Sequence, residues 1–157
     1  MDLKDYIRSI KDYPKKGILF RDITTLIKDE FAFEETINQI VEKSKKFKVD
    51  KIAAIESRGF VFASAVSYIL KKPFIMLRKK NKLPAETHSI DFELEYGTAT
   101  IEVHKDSIDE NDTVLIIDDL IATGGTAEAA SKLIEISEGK VEAFIFVINL
   151  FDLGGSD

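Results

Sequence analysis

Two carboxylates, Asp118 and Asp119, follow an apolar run and precede a Thr-Gly-Gly-Thr turn within residues 114–128, VLIIDDLIATGGTAE. Val114, Leu115, Ile116 and Ile117 form a short, bounded, β-branched-rich run, the pattern of a strand buried on both faces. The two acids then stand at a strand's C-terminal end, where open α/β sheets bind ligands. Ala122, Thr123, Gly124, Gly125 and Thr126 add hydroxyl donors, glycines that let the main chain approach an anion, and the start of a helix. The helical spacing of Ala127, Ala130, Leu133 and Ile134 predicts that helix. Singly, each part has a plain structural reading, as a Gly-Gly turn or a capping aspartate. In this order they predict a site for a phosphorylated ligand. A Walker loop is excluded because no Gly-Lys-Ser/Thr occurs, and a dinucleotide fingerprint because G-x-G-x-x-G is absent.

The same strand–polar loop–helix logic recurs upstream. Residues 51–55 read as a buried strand ending in Glu56-Ser57-Arg58-Gly59, followed by a small-residue-rich helix over 60–70. Arg58, leaving a strand end beside a glycine, is placed either to grip an anion or to form a surface salt bridge. Arg78, Lys79, Lys80 and Lys82 crowd the exit of a third strand, residues 73–77. Such a cluster is commonly just solvated; it also fits a lid that closes over a polyanion and excludes water. Near the N-terminus, Ile18, Leu19 and Phe20 lie between charges and lead into Arg21. Residue types alone favour a hydrophobic latch here over an aromatic platform and planar donor for a flat heterocycle. His88 receives no role.

A length of 157 residues, 45% apolar and 32% charged, suits one soluble domain with a substantial core. No apolar run approaches the roughly 20 residues that span a bilayer, and the N-terminus lacks a signal-peptide pattern. The absence of cysteine excludes disulfides and thiolate chemistry, in keeping with a cytoplasmic setting. A formal charge of −6 argues against nucleic acid as a main partner.

The elements that must position these groups follow from periodicity. Leu3, Tyr6, Ile7 and Ile10 have helical spacing and predict a short helix ended by Pro14. Phe33, Ile37, Ile40 and Val41 mark the inner face of a helix over 31–47, with Lys43, Lys45, Lys46 and Lys48 as solvated charge. Residues 98–103 alternate like a half-exposed strand, preceded by a turn at Glu95-Tyr96-Gly97, and 141–150 form a last strand. The fold class is α/β: a mostly parallel central sheet flanked by helices, with one hairpin-like excursion through 79–103.

IIDDLIATGGT resembles the signature of the type I phosphoribosyltransferases, and GILFRDI, ESRGF, LRKKNKLP and LEYGT resemble the adenine-using branch over nearly the whole chain. The resemblance implies the type I phosphoribosyltransferase fold as a single domain over 1–157, with a base-binding segment at 1–25 and a mobile lid at 78–103. It implies transfer of a phosphoribosyl group from phosphoribosyl pyrophosphate to adenine, giving AMP and pyrophosphate, with Mg²⁺ held mainly by substrate and water. The loop Ala122, Thr123, Gly124, Gly125 and Thr126 would wrap the 5′-phosphate, and Asp118 and Asp119 would meet the ribose hydroxyls and the sugar cation. Ser57, Arg58, Lys79 and Lys82 would contact pyrophosphate, with a non-proline cis peptide at Glu56–Ser57. Leu19, Phe20 and Arg21 would hold adenine, which overturns the latch reading. Glu95 would help with positioning and proton handling, and Tyr96 with the lid.

Asn81 and Ala85 replace lid glycines common in the family; Asn tolerates positive φ, Ala much less. The chain ends at Asp157, whereas relatives run on for a short further segment. The resemblance implies a cytoplasmic homodimer with no nucleic-acid or membrane partner. Other readings are a different purine or pyrimidine phosphoribosyltransferase, or a non-catalytic sensing module for phosphoribosyl pyrophosphate. The acidic charge weighs against a DNA-bound regulator.

Overall fold

A computed structural model describes residues 5, 8–11, 19–94, 97–119 and 125–147, with backbone only for 8–11, 19–22, Leu94 and Gly125. In chain order the elements are β1 (Arg8–Lys11), β2 (Leu19–Asp22), α1 (Thr24–Ile27), α2 (Glu30–Ser44), β3 (Lys51–Ile55), α3 (Arg58–Leu70), β4 (Phe74–Lys79), β5 (Thr87–Leu94), β6 (Gly97–His104), β7 (Thr113–Asp118), α4 (Gly125–Ile136) and β8 (Lys140–Phe146).

Six strands form one sheet in the order β5-β6-β4-β3-β7-β8. The pairs β4–β3, β3–β7 and β7–β8 are parallel, and the β5–β6 hairpin joins β4 antiparallel. The mostly parallel sheet with one hairpin excursion is the arrangement that the periodicity predicted. Strand alternation sends side chains to two cores. Ile52, Ala54, Leu115 and Ile117 join one cluster with Ile37, Ile40 and Val41 of α2 and Phe62, Ala63 and Val66 of α3. Ala53, Ile55, Val114 and Ile116 join the other with Ala129, Ala130, Leu133 and Ile134 of α4. Helices thus cover both faces, which is why β3 and β7 read as apolar runs over 52–55 and 114–117. Truncating Leu115, which is fully buried, to alanine would cost about 2–5 kcal/mol.

Helix α2 begins where Asp29 Oδ1 accepts a hydrogen bond from the Ala32 amide at 2.8 Å, satisfying one of the amides that a helix start leaves unpaired. The helix stops at Ser44, three residues before the expected end, and Lys43 in its last turn and Lys45, Lys46 and Lys48 just beyond it are exposed, as their reading as solvated charge required.

The helix expected over residues 3–10 is corrected at its C-terminal part. Arg8–Lys11 form strand β1, which pairs antiparallel with β2 in a separate two-stranded sheet. Cross-strand pairing with residues eight or more positions away replaces the local helical pattern; Leu3, Tyr6, Ile7 and Pro14 lie outside the described residues. Strand β5 is also an addition, because residues 80–91 read as a polar connection. It pairs with β6 over eight positions, from Thr87↔His104 to Leu94↔Gly97.

Candidate active site

Strand order sets the site before any side chain does. From β3 the chain crosses through α3 to β4 on one side, whereas β7 lies on the other side of β3 and continues to β8 beyond it. The connections therefore diverge between β3 and β7, and open α/β sheets bind ligands outside the carboxyl ends of strands at such a switch point. The register Lys51↔Val114, Ile52↔Leu115 and Ala53↔Ile116 brings the two carboxyl ends together. The loop after β3 carries Glu56, Ser57 and Arg58, and the end of β7 carries Asp118 and Asp119.

Side chains meet across that seam. Arg58 Nε lies 2.9 Å from Asp119 Oδ2, with the arginine side chain half exposed and the aspartate buried. The Asp119 amide donates to Asp118 Oδ1 at 2.8 Å, which turns the two carboxylates relative to one another at the strand end. Burial, then the charge of Asp119, push the Asp118 carboxyl up to about 8, against a smaller downward pull from Arg58. Asp118 therefore keeps its proton near neutrality in the absence of ligand, while an incoming cation would favour its charged form.

Gly59 makes the close approach possible. A Cβ there would stand 3.0 Å from the Ile117 carbonyl oxygen and 3.1 Å from Asp118 Oδ1. Helix α3 therefore starts directly against the end of β7. Ser57 is exposed at the N-cap of α3 and its hydroxyl makes no capping bond, so the thirteen-residue helix starts at Arg58 without a side-chain cap. A helix N-terminus with an adjoining guanidinium favours an anion. The Glu56–Ser57 peptide is cis, at the position that the family resemblance singled out.

The third strand end, that of β4, is tied to the same loop. Glu56 Oε1 accepts from Arg78 Nε at 3.1 Å and from the Lys79 amide at 3.1 Å. Lys79 and Lys82 are exposed, and Asn81 between them has φ of 66°, the left-handed conformation expected of an asparagine at a glycine position. The structure thus gathers Ser57, Arg58, Asp118, Asp119 and the base of the Lys79–Lys82 segment at neighbouring strand ends. Thr126 is half buried as the second residue of α4, a helix that receives the Thr-Gly-Gly-Thr loop at its N-terminus. Ala122, Thr123, Gly124, Glu95 and Tyr96 lie outside the described residues. Leu19, Phe20, Arg21 and Gly125 are described by backbone alone, the first three in β2.

Glu56 and Gly59 had no role on sequence grounds. Glu56 was hidden because Arg78 is 22 residues away along the chain. Gly59 carried a signal in its position directly after Arg58, which marks a close backbone approach.

An acid pair facing an arginine across a parallel switch point is placed to take an anionic ligand, and the family comparison gives the class of protein. The phosphoribosyl transferase domain model matches residues 23–150, and the chain belongs to that family. Within it the chain belongs to the adenine phosphoribosyltransferases. It is 84% identical to the adenine phosphoribosyltransferase of Pelagibacter ubique over all 157 residues, covering 90% of that protein. The crystal structure of the Thermoanaerobacter pseudethanolicus adenine phosphoribosyltransferase is similar at a TM-score of 0.89 and 49% identity, over 92% of this chain and 84% of that one. The Saccharomyces cerevisiae adenine phosphoribosyltransferase, solved with an imino-altritol bisphosphate and adenine, is similar at a TM-score of 0.86 and 34% identity, over 92% and 84%.

Proposed function

We propose that this transferase moves the 5-phosphoribosyl group from phosphoribosyl pyrophosphate to adenine, giving AMP and pyrophosphate in purine salvage. The observation that carries the reading is the Arg58–Asp119 contact across the β3–β7 seam with Asp118 beside it. It puts an anion-binding group and two carboxyl groups within one ligand's length.

In this reading the Thr-Gly-Gly-Thr loop, Ala122, Thr123, Gly124, Gly125 and Thr126, holds the 5′-phosphate at the start of α4. Ser57, Arg58, Lys79 and Lys82 take the pyrophosphoryl end. Asp118 and Asp119 accept hydrogen bonds from the ribose hydroxyls. As the bond to pyrophosphate breaks, positive charge grows on the sugar, and an ionised carboxylate pair fixed at the strand end stabilises it. The adenine is held by Leu19, Phe20 and Arg21, and Glu95 and Tyr96 act from the lid spanning 78–103.

Mg²⁺ suits this donor set, because the hard carboxylate oxygens of Asp118 and Asp119 sit at the mouth of an anion site. It would be held mainly by substrate oxygens and water, in contact with the Asp118–Asp119 end of β7, and when bound would offset the negative charge of the leaving pyrophosphate. No helix among the described residues is long and apolar enough to cross a membrane. A cytoplasmic setting fits a cysteine-free chain.

A homodimer is supported by the outer face of α3. Val61, Tyr68 and Ile69 are exposed there, Tyr68 at 85%, and Met76 is exposed on the adjoining β4. An apolar face of this kind marks an interaction surface. Sedimentation equilibrium of Tyr68→Glu should show monomer where the parent protein is a dimer; a monomeric parent would refute the assembly.

The reaction is tested by incubating the purified protein with phosphoribosyl pyrophosphate and Mg²⁺ plus adenine, hypoxanthine, guanine or orotate separately. Turnover of adenine is the expected result. Turnover of orotate alone would move the protein to a different member of the superfamily, and no turnover of any base would sink the reading.

A further inference from the structure

The loop after β3 and the cation-rich segment after β4 share one carboxylate. Glu56 sits one residue before Ser57, and its side chain is mostly buried, 15% exposed. Both its contacts reach forward to β4: Arg78 Nε at 3.1 Å and the Lys79 amide at 3.1 Å, each to Oε1. Its own amide donates to the Leu77 carbonyl at 2.9 Å, so three successive β4 residues are bound to this single residue. The hydrogen bond from Lys79, with further contributions from Arg78 and from the charge of Lys82, holds the Glu56 carboxyl below its ordinary value against the cost of burial. The carboxylate is ionised at neutral pH and stays so.

A buried negative charge behind an anion site is unfavourable by itself, because it repels the ligand. Here it is offset by Arg78, which is 31% exposed at its side chain and has its Nε occupied by Glu56. We infer that Glu56 is a positioning residue for the pyrophosphoryl end of the substrate, fixing the start of the Lys79–Lys82 segment to the Ser57–Arg58 loop. Lys79 ends β4 with its amide pinned to Glu56, so its side chain starts from a set origin at the Glu56–Ser57 end of the β3 loop. Without that tie the two cationic segments sample separate positions, and the entropy of bringing them together falls on substrate binding.

The inference rests on the proposed phosphoribosyl transfer to adenine, and wild-type turnover of adenine tests that reading separately. Initial rates are measured for wild type, Glu56→Gln, Lys79→Gln and the double variant, varying phosphoribosyl pyrophosphate and adenine in turn. Glu56→Gln keeps the shape and an acceptor for the Lys79 amide but removes the charge that orders Arg78. The expected result is a KM for phosphoribosyl pyrophosphate raised about tenfold, with the KM for adenine within about twofold. Lys79→Gln should then cost less in the Glu56→Gln background than in wild type, since the tie that makes Lys79 effective is already weakened by loss of the charge that orders Arg78. Equal rises in both KM values, no rise in either, or additive losses in the double variant would overturn the assignment. Should Glu56→Gln not yield folded protein, Glu56→Asp, which retracts the charge by one methylene, should give the same selective rise in the phosphoribosyl pyrophosphate KM. An unchanged KM in that variant would equally overturn it.

Discussion

Arg58 and Asp119 meet across the β3–β7 seam, where the connections among the described strands diverge, Nε to Oδ2 at 2.9 Å. The arginine belongs to the first residue of α3 and the aspartate follows the last residue of β7, so the contact joins two strand–loop–helix units. A half-exposed guanidinium paired with a buried carboxylate can turn part of its donor fork to a ligand while still neutralising the acid behind it.

Arg58→Gln should therefore lower kcat/KM for phosphoribosyl pyrophosphate about 100-fold while the KM for adenine stays within about twofold. Steady-state kinetics with each substrate varied checks it. A loss shared equally by both substrates would mean that Arg58 only holds the loop.

Asp118 gives a pH dependence whose sign is fixed by its surroundings. Its carboxyl is raised to about 8 in the folded chain from an ordinary 3.8, first by burial and then by Asp119. Between those values the folded state holds a proton that the unfolded state has released. Stability from this group is therefore complete below about 4 and falls as pH rises towards 8. Urea unfolding from pH 5 to 9 should show Asp118→Asn losing this decline and gaining relative to wild type at the alkaline end. In kinetics, kcat/KM for phosphoribosyl pyrophosphate should climb through about pH 8 as the carboxylate forms, and a profile flat from pH 6 to 9 would show that the pair does not act on the sugar.

Gly59→Ala should be more harmful than an exposed helix-start substitution. The new methyl group would meet the Ile117 carbonyl at 3.0 Å and Asp118 Oδ1 at 3.1 Å, so either α3 or the end of β7 must move. A stability loss of about 1–3 kcal/mol is expected, with a fall in kcat because Asp118 is displaced. Chemical denaturation alongside activity measures both, and full activity at parent stability would show that the approach is not needed.

Arg21→Ala should weaken adenine use more than binding of phosphoribosyl pyrophosphate. The role comes from the family resemblance and from its place in β2, the strand that also carries Leu19 and Phe20. Isothermal titration with each substrate would distinguish the two losses, and equal ones would contradict the base-binding role.

Much of this was legible in the sequence because both faces of the sheet are covered. Residues 52–55 and 114–117 had to be apolar at every position, and each run ends where the chemistry begins. Helix α2 was equally plain, since Ile37, Ile40 and Val41 fall on one buried stripe. Two elements were not. Arg8–Lys11 share a stretch with helical apolar spacing, and their strand conformation depends on pairing with Leu19–Asp22. Strand β5 does alternate over Ile90-Asp91-Phe92-Glu93-Leu94, with Ile90 and Phe92 packed on the core, but its first three residues, Thr87-His88-Ser89, are polar and are set by pairing with β6, so the connection leading into it read as polar. In the site, the carboxylates and Arg58 were named from their strand ends. The tie from Glu56 to Arg78 and Lys79 was not, because hydrogen bonds between neighbouring strands leave no mark on local spacing.

The most direct measurement follows AMP and pyrophosphate together in one reaction containing the protein, Mg²⁺ and phosphoribosyl pyrophosphate, with and without adenine. The two products should rise in equal amounts, and only when adenine is present. Pyrophosphate released without adenine, or adenine left unconsumed, would contradict transfer of the phosphoribosyl group to that base.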